Sequence, residues 1–306
     1  MDGPPFPHGV LIADRANGRI LAVNDAGQIA WQFPHAGGVP KGQAFSADDA
    51  FIAPDLRTVV ANDEFHEVID RIDIATGRIV WQYGHYGVVG SASGYLHTPD
   101  DAYPLSNGDI MVADIENCRV LEIAPDKSIV HQWGRTGVCK DAPPVAYARP
   151  NGDTPLPDGG LLITEITGSR VVRLAADGHV VFDIHVPVAY PSDAQLDAKG
   201  NVVVADFSTH GAVVAVNPRN DATVWRFAPS SGAGRLDHPS LATPLADGTV
   251  SVNDDFRHRL VVFNPATGAV LWIYGHADRP GRVNGYLDTP DGHEPLPQGV
   301  VWPTAA

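Results

Sequence analysis

The chain has 306 residues, 44% of them hydrophobic and 19% charged, and its net charge is −15. This apolar fraction excludes a disordered chain, and no apolar run approaches the roughly 18 residues that a membrane-spanning helix needs, so we expect no membrane insertion. The acidic charge and the lack of Lys or Arg runs also argue against nucleic acid as a partner, because binding to phosphates needs clustered cations.

A repeat of about 45 to 50 residues runs along the whole chain, which indicates a repeat architecture. A partial copy lies at 9–33, and further copies begin near residues 47, 100, 151, 192 and 240. Each copy contains four short runs, which we name A, B, C and D; in the third copy they are DAYPL, DIMVAD, RVLEIA and SIVHQW. The runs are rich in Val, Ile and Leu and are bounded by Gly, Asp, Asn or Pro, as strands joined by tight turns are.

This pattern predicts an all-β fold, a single-domain six-bladed β-propeller with four antiparallel strands in each blade. The N-terminus begins at a run B, GVLIAD, and the segment at 292–299 supplies the missing run A, so the last strand closes the ring. A closed ring has no free sheet edge, which favours a monomer. The predicted blades are 9–34 with 291–301, then about 44–84, 97–134, 148–186, 190–228 and 238–275.

Two repeated side-chain features have structural interpretations. Run D carries an aromatic residue that we expect to pack between neighbouring blades, namely Trp31, Trp81, Trp133, Trp225 or Trp272. An acid at the end of run B is followed five residues later by Arg in four copies, as Asp14–Arg19, Asp114–Arg119, Glu165–Arg170 and Asp254–Arg259. A pair repeated at this spacing predicts a clamp on the B–C turn.

The repeats also resemble known propeller families. VADIENCRVLEI and IADRANGRILAV resemble NHL-type repeats, and GRIVWQYG and GAVLWIYG resemble the PQQ-like repeats and the arylsulfotransferase-type propellers. The resemblance implies the propeller fold, whereas the families include a zinc-dependent amidating lyase, calcium-dependent lactone hydrolases and pure binding modules. We expect neither bound PQQ, which belongs to eight-bladed relatives, nor a nucleotide, because no Walker A or GxGxxG motif is present.

The connections predict one plain face and one loop-rich face. The A–B and C–D turns are short, whereas the D–A loops at 84–99, 134–150 and 275–290 are long. Long loops on a rigid scaffold often carry a site, so we expect function on the face of the B–C and D–A loops. Ten of the 13 His residues map to that face and favour acid–base chemistry or metal binding: His35, His66, His85, His97, His185, His210, His238, His258, His276 and His293.

Two alternative metal sites follow from the repeat. His66, His210 and His258 are expected to occupy the same slot of the B–C turn and could converge on zinc or another transition metal, unless the turns hold them too far apart. The starts of the A runs are rich in Asp, and Asp49 and Asp153 are the expected ligands of a calcium ion at the channel rim. The alternative for these acids is that they cap the strand starts by accepting local backbone N–H groups.

The preferred function is an enzyme that acts on a small polar molecule in a funnel on the loop-rich face. His97 or His238 is the predicted general acid or base, Asp101 and Asp193 would orient it or hold a cation, and His293 completes the catalytic set. A lyase or hydrolase reaction is expected, ahead of a transferase with a His nucleophile. The alternative is a propeller that binds a small ligand, glycan or protein through exposed loop aromatics, which are Tyr86, Tyr95, Tyr147 and Tyr286.

The two cysteines predict a disulfide. Cys118 lies in a B–C turn and Cys139 in the following D–A loop, so both belong to the loop-rich face. A disulfide favours an extracytoplasmic compartment, secreted or periplasmic. The start of the chain, MDGPPFPHG, does not read as a signal peptide.

Overall fold

The computed structural model describes residues 5–303, which form six four-stranded antiparallel sheets arranged as a ring. The predicted six-bladed β-propeller is therefore confirmed. The first strands in chain order are β1 Val10–Asp14, β2 Arg19–Val23, β3 Ile29–Phe33, β4 Ala50–Ile52, β5 Thr58–Asp63, β6 Val68–Asp73, β7 Arg78–Gly84, β8 Pro99–Pro104, β9 Ile110–Asp114, β10 Arg119–Ile123, β11 Ile129–Gly134 and β12 Pro150–Gly152. The remaining strands are β13 Leu161–Glu165, β14 Arg170–Leu174, β15 Val180–His185, β16 Pro191–Leu196, β17 Val202–Asp206, β18 Val213–Asn217, β19 Ala222–Phe227, β20 Pro239–Pro244, β21 Val250–Asp254, β22 Arg259–Asn264, β23 Ala269–Gly275 and β24 Pro290–Pro295.

The helices of the described residues are single 3-10 turns, and none is long and apolar enough to cross a bilayer. Four of them form B–C turns, and one lies in a D–A loop. Their bounds are Arg15–Asn17, Glu64–His66, Ile115–Asn117, Gly232–Gly234 and Asp255–Arg257.

The C-terminal strand closes the ring, as the sequence predicts. Strand β24 pairs antiparallel with β1, so that Val10 lies opposite Pro295 and Ile12 opposite His293. The inner strands β24, β4, β8, β12, β16 and β20 then contact one another in sequence around the axis, with β20 meeting β24. Blade 1 is therefore built from both ends of the chain, and its inner strand depends on residues far from its other three strands.

The last residue of run B is an acid in every blade, and we call these six residues the B-end acids. Each carboxylate accepts a backbone N–H from the segment that leads into the inner strand of the same blade, so it fixes where that strand begins. The pairs are Asp14 with Asp288, Asp63 with Ser46, Asp114 with His97, Glu165 with Ala148, Asp206 with Tyr190 and Asp254 with Asp237.

Arg residues at the start of run C neutralise three of these buried acids. The Nε atoms of Arg19, Arg119 and Arg259 lie 2.6, 2.7 and 2.7 Å from the B-end carboxylates of blades 1, 3 and 6, as predicted for a turn clamp. The fourth predicted clamp, in blade 4, is wrong. Arg170 pairs instead with Asp183 and with Asp141, at 2.9 Å, because the D–A loop of blade 3 brings Asp141 beside its guanidinium.

The run-D tryptophans pack between blades, as expected, but their surroundings differ. Trp31 is 4% exposed and stacks on Trp302, whose ring centroid lies 5.4 Å away. Trp272 meets Phe6 edge to face at 5.5 Å. The two ends of the chain therefore cover the tryptophans of blades 1 and 6. The equivalent Trp133 has no such cover from the described residues and borders an open groove.

The predicted disulfide is present and ties two loops of the functional face together. Cys118 ends the B–C turn of blade 3, and its Cα lies 5.1 Å from that of Cys139 in the following D–A loop. The link closes a loop with a sequence separation of 21 residues and so restricts the unfolded chain.

We predict that the double variant Cys118→Ala/Cys139→Ala loses about 3 kcal/mol of unfolding free energy, because the unfolded chain regains the entropy of that loop. Urea unfolding of the oxidised wild type and of the variant measures this difference. Wild-type protein treated with reductant is the control and should match the variant. Equal midpoints for the oxidised wild type and the variant would contradict the prediction.

Candidate cation and ligand site in the central channel

The inner strands direct polar side chains toward the axis for a local reason. Five of the six begin with a proline, which has no N–H and is tolerated at the first position of a strand. Polar residues follow, and the pairing between inner strand and run B is irregular at this point in most blades, for example between Asp100 and Tyr103. A bulge of this kind changes the direction of a side chain. Asp101 accordingly has a left-handed backbone with φ of 52°.

This arrangement gathers eight buried aspartates around the axis, from five of the six blades and the turn of blade 6. They are Asp48, Asp49, Asp100, Asp101, Asp153, Asp193, Asp255 and Asp291, all at most 8% exposed. One guanidinium enters the cluster: Arg15 contacts Asp48 and lies 2.5 Å from Asp291 Oδ2. One Arg cannot balance eight carboxylates, so the remaining charge must be met by protons or by a bound cation.

Two subsets of the aspartates are defined by their contacts. Asp48, Asp49 and Asp100, which we call the rim triad, each place one oxygen within 4.8 Å of the others. Among residues 5–303, no other set of three or more His, Cys, Asp or Glu side chains brings its ligand atoms this close together. A narrow cavity beside it is lined by all six blades and has room for about one water molecule, which is also the scale of one ion.

The second subset, the inner triad, consists of Asp101, Asp153 and Asp193. Tyr103 Oη and Thr154 Oγ1 each donate to Asp193 at 3.2 Å. Asp101 Oδ2 is buried without a hydrogen-bond donor. An oxygen left in this state in an apolar surrounding is costly, which favours a proton or a cation between the carboxyl groups.

Two glycines leave the space that these carboxylates occupy. A Cβ added to Gly292 would lie 1.9 Å from Asp49 Oδ1, and one added to Gly152 would lie 2.7 Å from Asp193 Oδ1. Any side chain at either position would therefore displace an acid of the cluster. The positions equivalent to these glycines in blades 2, 3 and 5 hold Asp49, Asp101 and Asp193 themselves, and blade 6 has Leu241 there. The two glycines therefore leave room on either side of the acids of blades 2 and 3.

Burial, and then repulsion by neighbouring carboxylates, raises the pKa of the cluster. The pKa values of Asp49, Asp100 and Asp101 lie well above the usual range of aspartate. The pKa of Asp291 rises to about 8, mainly by burial, although Arg15 opposes the shift. The pKa of Glu64, at the mouth of the channel, also rises to about 8 through burial and Asp48. Cation-free protein therefore holds extra protons at neutral pH.

The five predicted catalytic residues do not form one group. Asp101 and Asp193 lie together in the inner triad. His293 is 1% exposed and lies between blades, where its Nε2 is 2.6 Å from Ser251 Oγ and its Nδ1 contacts Asn253. Burial lowers its pKa to about 3, so it stays neutral. Its expected place in a catalytic funnel is wrong, because its position along β24 points between blades.

The two remaining predicted catalytic His residues occupy different positions. His97 precedes Thr98 and aligns with Asp237, so His238 aligns with Thr98 and the two His residues are not equivalent. His238 Nδ1 lies 2.8 Å from Asp237 Oδ1, and its ring packs on Phe256 with centroids 4.1 Å apart. His238 directly precedes the inner strand of blade 6 and therefore lies beside the channel mouth.

The predicted zinc site of His66, His210 and His258 is not assembled among the described residues, where the ring nitrogens of these three do not all lie within 4.8 Å of one another. His66 binds Asp63, His210 lies 3.2 Å from Arg235, and His258 contacts Asp288. The assignment to one slot was also wrong. The left-handed residue that ends each B–C turn is His210 in blade 5 and His258 in blade 6, but Glu67 in blade 2.

Other histidines of the loop-rich face have local roles. His85 stacks on Tyr95 and His276 packs on Tyr286, with centroids 4.1 and 4.0 Å apart. These pairs occupy the same position in two long D–A loops, which supports a shared loop structure. Tyr147, also predicted as an exposed contact residue, is buried. The tyrosines therefore do not make one exposed patch.

The mouth of the channel contains residues that sequence reasoning missed. Arg15, Glu64 and Asp255 directly follow B-end acids, a position that alignment of the repeats would have identified. Glu116 pairs with Arg149 across two blades. Opposite them, an aromatic arc runs from Tyr190 through Phe207 to His238 and Phe256, with successive centroids 5.4, 5.1 and 4.1 Å apart.

Comparison with known proteins gives a family. A model described as outer membrane protein assembly factor BamB matches residues 66–287. The chain belongs to this family of PQQ-like repeats. A search of curated proteins finds no significant match.

Solved structures share the fold of this PQQ-like repeat protein. A protein of unknown function from Bacteroides caccae is 17% identical, with 94% of this chain and 98% of that chain covered and a TM-score of 0.65. A chain of a nidogen/laminin complex is 15% identical, with 93% and 97% covered and a TM-score of 0.62. A streptogramin B lyase is 16% identical, with 74% and 68% covered and a TM-score of 0.53. These identities show the fold alone.

The raised pKa values predict how stability depends on pH. Above about pH 4 the unfolded chain releases carboxyl protons that the folded, cation-free protein keeps, so stability falls as pH rises toward 8. Each such carboxyl contributes a slope of about 1.4 kcal/mol per pH unit. Urea unfolding in chelator between pH 5 and 8 measures the total slope.

The variant Asp291→Asn should make this slope shallower by about 1.4 kcal/mol per pH unit, the contribution of one proton, because it removes a group with a pKa of about 8. The matched control is Asp25→Asn, an exposed residue in the C–D turn of blade 1, which should leave the slope unchanged. A wild-type stability that rises across this range, or equal slopes in the two variants, would contradict the assignment.

Proposed function

We propose that this protein binds a calcium ion in its central channel and that the ion and the channel mouth together hold a small polar molecule. The rim triad carries the proposal, because its three buried carboxylates converge where the space suits one ion. All of its donors are oxygens, which hard cations prefer, and the site offers no imidazole or thiolate for zinc. Bound calcium would replace the protons that these acids otherwise keep.

The mouth supplies groups that would contact a ligand of this ion. Arg149 is 44% exposed on its side chain and offers a cation on one side, beside Glu116. Tyr190 and His238 lie on the other side, near the inner strands of blades 5 and 6. A ligand with an oxygen on calcium and an anionic or hydroxyl group toward Arg149 matches this distribution of charge.

His238 is the residue of the predicted catalytic set that supports an enzyme. Asp237 holds its Nδ1 at 2.8 Å, which fixes the ring and leaves Nε2 to accept a proton. A proton taken from water would give a hydrolase, and one taken from carbon beside a carbonyl would give a lyase. A calcium ion held by the rim triad would supply positive charge beside a developing oxyanion. The shared fold with a streptogramin B lyase supports such chemistry only by analogy.

A binding protein without catalysis is the second candidate. Phe65 and Phe256 lie within the B–C turns at the mouth and are 63% and 48% exposed, and Arg15 lies 5.2 Å from the centre of the Phe65 ring. Exposed aromatic side chains beside a polar pocket are typical of ligand and protein recognition. The same calcium ion would then order the mouth rather than assist a reaction.

The disulfide and the BamB-like family are compatible with an extracytoplasmic location, where calcium is abundant and disulfides persist. We propose that location for the protein, together with a monomeric state.

We predict near-stoichiometric calcium binding, measured by isothermal titration calorimetry of chelator-treated protein and by elemental analysis after dialysis. The variants Asp49→Asn and Asp100→Asn should lose binding while keeping the cation-free fold at least as stable as wild type, because each removes a source of repulsion in the cluster. Affinity should increase from pH 6 to pH 8.5 as protons leave Asp291 and Glu64.

The control Asp25→Asn should bind calcium as wild type does. Absence of binding in wild type, or equal binding in Asp49→Asn, would refute the rim triad as a cation site. Zinc bound in preference to calcium would also refute the calcium site, because oxygen donors alone would not explain a preference for zinc.

We predict that His238→Asn lowers kcat/KM by about 10²- to 10⁴-fold against any substrate found in a panel of lactones, esters and cyclic depsipeptides. Asn is chosen because residue 238 has φ of 52°, which Asn tolerates. Calcium affinity should not change. Unaltered turnover in this variant would remove His238 from the mechanism, and no turnover by wild type would favour the binding protein.

A further inference from the structure

A groove of about 810 Å³ lies on the plain face between blades 3 and 4, away from the channel mouth. We call it the blade 3–4 groove. Trp133 and Met111 line it from blade 3, and Leu156 and Ala176 line it from blade 4. The volume is within the range of pockets that hold small ligands or short peptide segments.

The chain itself shows what equivalent grooves accept. Between blades 1 and 2, Trp302 stacks on the run-D tryptophan Trp31, and between blades 6 and 1, Phe6 packs on Trp272. Phe6 is 1% exposed. Both aromatic residues come from terminal segments that lie outside the strands. Both tryptophans are therefore covered by an aromatic side chain from a segment that lies outside the sheets.

Trp133 lacks an indole hydrogen bond that Trp31 and Trp81 make. The indole N–H of Trp31 donates to Ile74 O at 3.2 Å, and that of Trp81 donates to Pro125 O at 2.9 Å. Within residues 5–303, the Trp133 indole N–H has no such acceptor, because the corresponding turn of blade 4 stands back from it and forms the groove. A carbonyl of an incoming segment could accept this hydrogen bond.

The charge around the groove selects the partner. Glu122 and Asp177 line the groove, and no Lys or Arg does. His131, which also lines it, has its Nδ1 3.1 Å from Glu122 Oε2. The comparable groove beside Trp225 is smaller, about 490 Å³, and is lined by both Asp197 and Lys199, so its charges balance. The blade 3–4 groove thus combines an aromatic floor with an acidic border.

We propose that the blade 3–4 groove binds a segment of a partner protein, with a Trp or Phe side chain against Trp133 and a Lys or Arg beside Glu122 and Asp177. This site is separate from the channel and does not rest on the function proposed for it. Stacking provides most of the contact and charge complementarity provides the selection.

The test uses the synthetic peptide acetyl-GKPWKG-amide and the indole N–H signals of ¹⁵N-labelled protein in NMR titrations to millimolar concentration. The Trp133 and Trp225 signals are assigned with Trp133→Phe and Trp225→Phe. The signal of Trp133 should shift and saturate, whereas that of Trp225 should not. A peptide with Ala for Trp should lose binding, and one with Glu for both Lys should bind at least tenfold more weakly.

The blocking variant is Ala176→Arg, which fills the groove from an exposed turn position. Its matched control is Ala266→Arg, at the equivalent exposed position of the Trp225 groove. We expect the first to abolish the Trp133 shift and the second to retain it. No saturating shift, equal shifts with the Ala peptide, or binding retained by Ala176→Arg would overturn the proposal. Self-association in sedimentation that Ala176→Arg abolishes would also overturn it, in favour of a second copy as the occupant.

Discussion

The B-end acids are the interaction on which the rest of the structure depends. A carboxylate at the end of run B is buried in every blade and accepts a backbone N–H from the segment that leads into the inner strand. One hydrogen bond therefore joins the end of the second strand to the start of the strand that lines the channel. Such burial is tolerable only with hydrogen bonds and, in blades 1, 3 and 6, an Arg partner. The acids thereby determine which residues reach the channel.

Closure of the ring brings the equivalent positions of the six inner strands together around the axis, so the residues that differ between blades form one site. The first channel-facing position is Asp in blades 1, 2 and 3 but Asn151, Ser192 and Ser240 in blades 4, 5 and 6. At this position the carboxylates therefore lie on the side of the axis next to Arg15, and hydroxyl and amide groups lie on the other, where Asp153 and Asp193 supply carboxylates from the positions that follow. Mutual repulsion among these carboxylates opposes folding, and the hydrophobic packing between blades must offset it. A cation would remove that cost without changing the fold.

Much of the architecture could be predicted from the sequence because the period, the turn residues and the order of runs are local signals. The disulfide followed, since both cysteines were placed on one face. The site was harder to predict. His66 differs from the true turn-end residue Glu67 by one position, and one position reverses the direction of a side chain on a strand or tight turn. His293 looked accessible because the bulge in β24, which turns it between blades, has no sequence signature.

The two faces follow different physical rules, which is why they could carry separate roles. A ligand in the channel is surrounded by all six blades, so its affinity depends on closure of the ring by β24. A segment in the blade 3–4 groove contacts only two blades, so its affinity depends on the distance between those two blades. The same tryptophan position is covered by Trp302 in blade 1 and by Phe6 at blade 6, so these terminal segments both protect apolar surface and strengthen the seam where the ring closes. The seam between blades 3 and 4 is made within one continuous stretch of chain and needs no such reinforcement, which leaves its tryptophan free to contact another protein.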